Sequence, residues 1–247
     1  MADLFIKQGK QYSEARPSYP QELFQFIASK TPACDLAWDV GTGSGQAAVS
    51  LAGIYKSVIA TDASQNQLEF AAKLPNSSVT TESSVDVVTI AQAMHWFDLP
   101  KFYQQVKWVL KKPHGVIAAW CYTLPDVNES VDSVFGRFFE DSRPYWDAAR
   151  ELIVDKYGSI AFPFKPVEGE DHTGPFGFKT ERLIDLETYF TYLRSGSPYQ
   201  TAKKKGVELL RNDVIEDFHR AWSEDGNGQK MVTFPVYLRI GRVGNPS

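Results

Sequence analysis

The chain has 247 residues, 43% of them apolar, enough for one α/β domain with a sizeable core. A formal net charge of −4 leaves no basic footprint for nucleic acid, and the one basic run, Lys203-Lys204-Lys205, reads as a solvated helix face. No apolar stretch approaches the length of a membrane span, and Met1–Lys7 lacks the features of a signal peptide, so the expectation is a cytoplasmic protein with no membrane partner. Cys34 and Cys121 are too few for a disulfide framework, and their neighbours suggest no metal site. Asn76-Ser77-Ser78 and Asn128-Glu129-Ser130 match glycosylation sequons, which mean little without a secretory route.

From Pro20 to Lys30 the apolar residues Leu23, Phe24, Ile27 and Ala28 recur at helical spacing. A strand predicted over 36–40 runs directly into Gly41-Thr42-Gly43-Ser44-Gly45, and Gln46–Ala52 then reads as a helix. Glycine lacks Cβ, so this turn can reverse sharply and let a ligand approach bare backbone. A second strand over 57–61 ends at Asp62, where an acid can accept hydrogen bonds from ribose hydroxyls. A nucleotide phosphate, an adenosyl cofactor or no ligand at all could account for such a turn. No P-loop lysine follows the glycines, which argues against a nucleoside triphosphate. A dinucleotide fingerprint needs a small residue where bulky Gln46 stands.

Strands are also predicted at 85–90 and 115–121. The four alternate with helices and are apolar on both faces, which implies a doubly wound, mainly parallel sheet covered on both sides. After Tyr122 the pattern changes. Residues 128–157 are rich in aromatics and charge and read as a helical cap, followed by a Pro/Gly stretch from Phe162 to Pro175. Helices are expected at 186–194 and 198–222, and a closing strand at 231–240.

Several of these segments carry a family resemblance. Tyr12–Pro20, Asp39–Gly45, Asp62, Val85–Phe97 with its His95-Trp96-Phe97 loop, Phe102–Tyr122, Ser197–Gln200 and Phe234–Arg239 together resemble a class I S-adenosylmethionine-dependent methyltransferase. The similarity is to the small-molecule branch typified by the trans-aconitate methyltransferase-like proteins of plants and fungi, and it covers nearly the whole chain. It implies a Rossmann-like fold with a helical cap inserted after the fifth strand, S-adenosyl-L-methionine as cofactor, and a small-molecule acceptor such as an organic acid. The implied layout is a single domain: an N-terminal lid and helix over 1–34, a cofactor-binding core over 35–122, the cap over 123–177, and C-terminal helices with the closing strand over 178–247. Asp39–Gly45 then corresponds to motif I and Asp62 to the ribose-binding acid.

Ligands bind doubly wound sheets at the carboxyl ends of the strands, where strand order reverses. The Gly41–Gly45 and Ala91–Phe97 loops should therefore face each other. The expected cofactor-binding set is Asp39, Gly41, Gly43, Gly45, Asp62 and Gln92, with Asp39 either ordering the turn or contacting the cofactor's methionine amino end. Trp96 and Phe97 would wall the site, since a ring face attracts a sulfonium cation. His95 is the candidate catalytic residue: a base for a phenol, amine or thiol acceptor, unneeded for a carboxylate, or else a loop histidine that only shapes the site. Tyr12 and Arg16 would form a lid, with Arg16 gripping an acidic acceptor bidentately or sitting in a surface salt bridge. Arg137, Arg143 and Arg150 of the cap offer the same chemistry.

One segment departs from the family pattern. Family members place a helix, a third strand and another helix between the equivalents of Asp62 and Asp86, and a helix over 65–74 uses most of the room here. An edge strand beyond the second would have to return about 14 Å sideways and about 15 Å lengthwise, roughly 21 Å in all. Glu82–Ser84 would reach only about 10 to 14 Å. A direct crossover from the second strand to the one at 85–90 is therefore expected, without the adenine contact that a third strand supplies. That loss motivates an alternative reading as a non-catalytic methyltransferase-like protein or a shortened isoform with impaired cofactor binding. A nicotinamide-dependent oxidoreductase is a third reading, disfavoured by Gln46.

Overall fold

A computed structural model describes residues 17–63 and 81–245. The chain divides into two units. The first comprises Ser18–Thr123, Glu151–Lys179 and the chain from Pro235 onward; the second is built on Leu124–Arg150 and Thr180–Phe234.

The first unit holds the parallel strands β1 (Leu36–Val40), β2 (Ser57–Thr61), β3 (Val87–Ala91) and β4 (Val116–Tyr122), arranged β2-β1-β3-β4. A strand covered on both sides must be apolar at every position, and all seven residues of β4 are buried. Its alternate residues feed two cores. Val116, Ala118 and Trp120 pack with Leu23, Phe24 and Ile27 of α1 (Gln21–Ser29) and with Ala48 and Leu51 of α2 (Gln46–Ala52). Ile117, Ala119 and Cys121 pack with Tyr103, Val106 and Val109 of α3 (Leu99–Val109), and with Ile153 of α5 (Glu151–Val154) and Tyr157.

Two further strands complete a six-stranded sheet among the described residues. β6 (Gln229–Arg242) runs antiparallel to β4, with Val116 opposite Arg242 and Tyr122 opposite Val236, and β5 (Phe176–Asp185) lies outside β6. Strand order reverses between β1 and β3, since the chain goes outward from β1 to β2 before it returns to β3. At the amino ends of these strands the buried Asp86 carboxylate accepts from the amides of Asp35 (3.0 Å) and Leu36 (2.8 Å), and Lys111 Nζ stands 2.7 Å away.

The second unit packs α4 (Glu129–Ser142), α6 (Leu186–Arg194), α7 (Ser197–Lys204) and α8 (Asn212–Ser223) around Phe138, Tyr189, Phe218 and Trp222. Capping fixes two of the starts: Asn128 accepts from Val131 N at 2.9 Å, and Asp185 from Thr188 N at 2.8 Å. Pro144, which has no N–H to continue the ladder, follows the end of α4.

Three expectations need correction. The helix expected over 198–222 is two helices. Gly206 adopts φ +77° just past α7, and Val207 N donates back to Ala202 O at 3.0 Å, which closes that helix after its lysines. β5 has no counterpart in the sequence reading, which resumes only with a helix at 186. The cap expected over 128–157 does not run through: α4 stops at Ser142, and Tyr157 is buried in a core of the first unit.

The helix expected at 65–74, the Asn76 sequon, the family's opening segment up to Arg16 and the lid residues Tyr12 and Arg16 lie outside the described residues. Among the described residues the strand that follows β2 along the chain is β3, paired with β1. Among them, too, no helix is long and apolar enough to cross a membrane, and no group of His, Cys, Asp or Glu could hold a metal ion.

Candidate active site

The turn after β1 passes through three left-handed glycines, Gly41, Gly43 and Gly45, with φ of +69°, +57° and +86°. The end of β2 holds it. Gly41 N and Thr42 N both donate to Thr61 O, at 2.8 and 3.0 Å, and Gly43 N donates to Asp62 Oδ2 at 2.9 Å. Beneath the turn lies Asp39, wholly buried. One carboxylate oxygen accepts from Thr42 Oγ1 at 2.6 Å and the other from Thr89 Oγ1 at 2.7 Å, so Asp39 ties the turn to β3.

Burial pushes the Asp39 carboxyl up to about 6, the two threonine hydroxyls oppose this in part, and the nearby Asp62 charge adds to it. A value raised above that of the unfolded chain means that folding favours the protonated form. The stabilising contribution is complete below about pH 4 and is lost as pH rises through about 6, to the extent of about 3 kcal/mol. Urea melts of the wild type and Asp39→Asn across this range should therefore diverge with pH, the wild type losing its relative advantage toward neutrality. A pH-independent difference would contradict the assignment.

The loop after β3 faces this turn. A Cβ placed on Gly41 would lie 2.8 Å from Ala93 Cβ and 3.4 Å from Phe97 Cζ, so the two loops pack closely there. Among the described residues, a Cβ on Gly43 would meet nothing within 4 Å. Gln92, at φ +55°, commits its side chain to β4: Oε1 accepts from Tyr122 N at 2.8 Å and Nε2 donates to Tyr122 O at 3.4 Å. Met94–Trp96 then form a 3-10 turn. His95 Nδ1 lies 2.9 Å from the Tyr157 hydroxyl, and its ring is tilted against Trp96 with centroids 4.5 Å apart. Trp96 is 38% exposed.

Of the residues singled out from sequence, Asp39, Gly41, Gly43, Gly45, Asp62 and Gln92 stand at the carboxyl ends of β1 to β3, with His95 and Trp96 on the loop beyond. The cap arginines are engaged within the second unit: Arg137 with Asp217 at 2.7 Å, Arg143 with Glu140 at 3.0 Å, and Arg150 over the Trp146 ring at 4.9 Å. Sequence reasoning missed Thr42, Thr89 and Tyr157. A threonine in the apolar run Val87-Val88-Thr89-Ile90 was the available signal for Thr89. The open space over Gly43, bare backbone around it and an acid at the end of β2 suit an adenosyl group.

Comparison with known proteins bears on what that group is. A family model described as a methyltransferase domain matches residues 38–119, which takes in the glycine turn, Asp62 and the His95 loop. A Dictyostelium discoideum protein named as a methyltransferase is 32% identical over 256 residues, covering 97% of this chain and 95% of that one. The chain belongs to the methyltransferase family. A Saccharomyces cerevisiae protein named as an S-adenosylmethionine-dependent methyltransferase is 28% identical, covering 94% of each chain. The solved structure of a type II methyltransferase from Anaeromyxobacter dehalogenans superposes with a TM-score of 0.80 at 29% identity, over 94% of this chain and 99% of that one. This methyltransferase therefore uses S-adenosylmethionine as its cofactor and transfers a methyl group to an acceptor, and the nicotinamide reading falls.

Proposed function

We propose that this methyltransferase acts on a small organic acid, as the trans-aconitate-like branch would, and that it works in the cytoplasm without a nucleic-acid or membrane partner. When bound, S-adenosylmethionine supplies a methyl group already activated by a sulfonium. The protein's task is then to hold the acceptor oxygen in line at close range. Gly41, Gly43 and Gly45 give the cofactor a bare-backbone cradle, and Asp62, which already braces Gly43, accepts from its ribose hydroxyls. Gln92 acts on the site through its grip on Tyr122. The proposed layout keeps 35–122 as the cofactor core within a single functional domain.

The observation that carries the acceptor class is the His95–Trp96 pair, a half-exposed indole against an imidazole on the loop that follows β3. The imidazole N–H can hydrogen-bond a carboxylate oxygen while the indole covers the apolar part of a compact acid.

The purified protein, incubated with methyl-labelled S-adenosylmethionine and a panel of small carboxylic acids, phenols, amines and thiols, should transfer label to the acids alone, as base-labile esters. Label appearing on amines or thiols, and none on acids, would reject the acid reading.

A further inference from the structure

Tyr157 is wholly buried and lies in neither loop of the site, yet its hydroxyl is 2.9 Å from His95 Nδ1. Among the described residues, Nδ1 is the hydrogen-bond partner that the phenolic oxygen has. If this wholly buried hydroxyl accepted from Nδ1–H, its own proton would be left without an acceptor, which costs more than an unused lone pair; the phenol therefore donates and Nδ1 accepts. Burial holds the phenol well above its ordinary value, so that proton stays on oxygen. With Nδ1 as acceptor, the neutral ring carries its hydrogen on Nε2.

The segment that delivers Tyr157 is strained and clamped. Lys156 and Tyr157 both adopt φ +59°, a left-handed conformation that costs side chains with Cβ energy and persists only where surroundings enforce it. Arg239, itself buried, enforces it. Its Nη1 donates to Tyr157 O at 2.6 Å and lies 3.4 Å from the carbonyls of Gly158 and Ile160, while Nε and Nη2 reach Thr173 O and Oγ1 at 3.3 Å. The guanidinium also rests over the Phe162 ring at 4.9 Å. A desolvated cation committed to main-chain carbonyls has one structural consequence, a fixed path for residues 157–160.

We propose that Tyr157, clamped by Arg239, is a positioning residue that locks His95 in the Nε2–H tautomer, so that His95 meets the methyl acceptor as a hydrogen-bond donor and not as a base. This rests on the reading above, in which His95 faces the acceptor, and it deepens it: an enzyme whose site histidine cannot take a proton at Nε2 serves acceptors that arrive already ionised. No proton moves in the transfer. The acceptor oxygen would form its bond to the methyl carbon with its own electron pair while the methyl–sulfur bond broke and that pair left on sulfur in S-adenosylhomocysteine, and the donor hydrogen bond from Nε2 would orient the other carboxylate oxygen.

The test is nitrogen-15 NMR of histidine-labelled protein at neutral pH, which reads the protonation of each ring nitrogen directly. With 4 histidines in the chain, His95→Gln identifies the signal. The wild type should show Nδ1 as acceptor and hydrogen on Nε2, and Tyr157→Phe, which keeps the ring and loses only the hydroxyl, should show mixed tautomers. In turnover, Tyr157→Phe should lower kcat about tenfold, leave the KM for S-adenosylmethionine unchanged, and introduce a dependence on the histidine's ionisation that the wild type lacks. Hydrogen on Nδ1 in the wild type, or an unchanged tautomer in a folded Tyr157→Phe, overturns the proposal. The wild-type spectrum decides alone if the variant does not fold. The spectrum needs no acceptor, so the expected tautomer in an enzyme that methylates no acid would sink the acid reading and leave the positioning role standing.

Discussion

Gly43→Val is expected to abolish binding of S-adenosylhomocysteine, weakening it on the order of a hundredfold or more, about 3 kcal/mol, in a protein that still unfolds cooperatively. The expectation follows from two facts about Gly43 that separate it from Gly41. Both have left-handed φ, so any Cβ costs about 1–2 kcal/mol of backbone strain at either place. At Gly41 the new atom would also collide with Ala93 Cβ at 2.8 Å, and the loss would be one of folding. At Gly43 it would meet nothing within 4 Å among the described residues, so the added Cβ points into open space where the cofactor is proposed to approach the chain. Isothermal titration and a thermal melt on both variants check this: Gly43→Val should lose affinity at modest cost in stability, and Gly41→Val should lose stability first. Retained micromolar binding by Gly43→Val would remove the ligand from that side of the turn.

The contrast between these glycines also shows where the sequence stopped being legible. The doubly wound sheet could be read because strands buried on both faces leave unbroken apolar runs, as in Val116–Tyr122, and because the glycine turn and Asp62 fall where such strands end. β5 was hidden because its burial alternates over ten residues without a matching alternation of apolar and polar types: Thr180 and Arg182 stand at inward positions, and Leu183 at an exposed one. The break at Gly206 sits inside a run of good helix formers and declares itself only through its left-handed φ.

Within the site the residue types were visible but their partners were not. Asp39 stands out in sequence as an acid before a glycine turn. That both its oxygens are taken by Thr42 and Thr89 depends on burial and on the pairing of β1 with β3. Gln92 could be placed near the cofactor by topology, but no spacing rule says that its amide closes on the backbone of Tyr122. Tyr157 was read as one more cap aromatic, because nothing local connects it to a histidine so far back along the chain. Loops and turns carry their identity in sequence; the shell of groups that orients them is assembled by the fold.

Asp86→Ala should be the most destabilising single change proposed, by roughly 3–5 kcal/mol, because it removes a wholly buried carboxylate from three partners at once. The amides of Asp35 and Leu36, at the head of β1, would lose their acceptor at 3.0 and 2.8 Å, and Lys111 would lose the carboxylate 2.7 Å from its ammonium. For a chain of 247 residues that predicts a fall in melting temperature of roughly 10 °C or more. Asp86→Asn keeps an acceptor for the strand amides and forfeits mainly the charge on Lys111, so it should cost about half as much. The two ends of the same strand then separate by function. Asp86 precedes β3 and Gln92 follows it, so below its melting temperature Asp86→Ala should bind S-adenosylhomocysteine as the wild type does, whereas Gly43→Val should melt only several degrees below the wild type and bind nothing. Loss of affinity in a fully folded Asp86→Ala would mean that the amino ends of the strands set the geometry of the glycine turn through β1, and that stability and cofactor binding in this sheet cannot be varied independently.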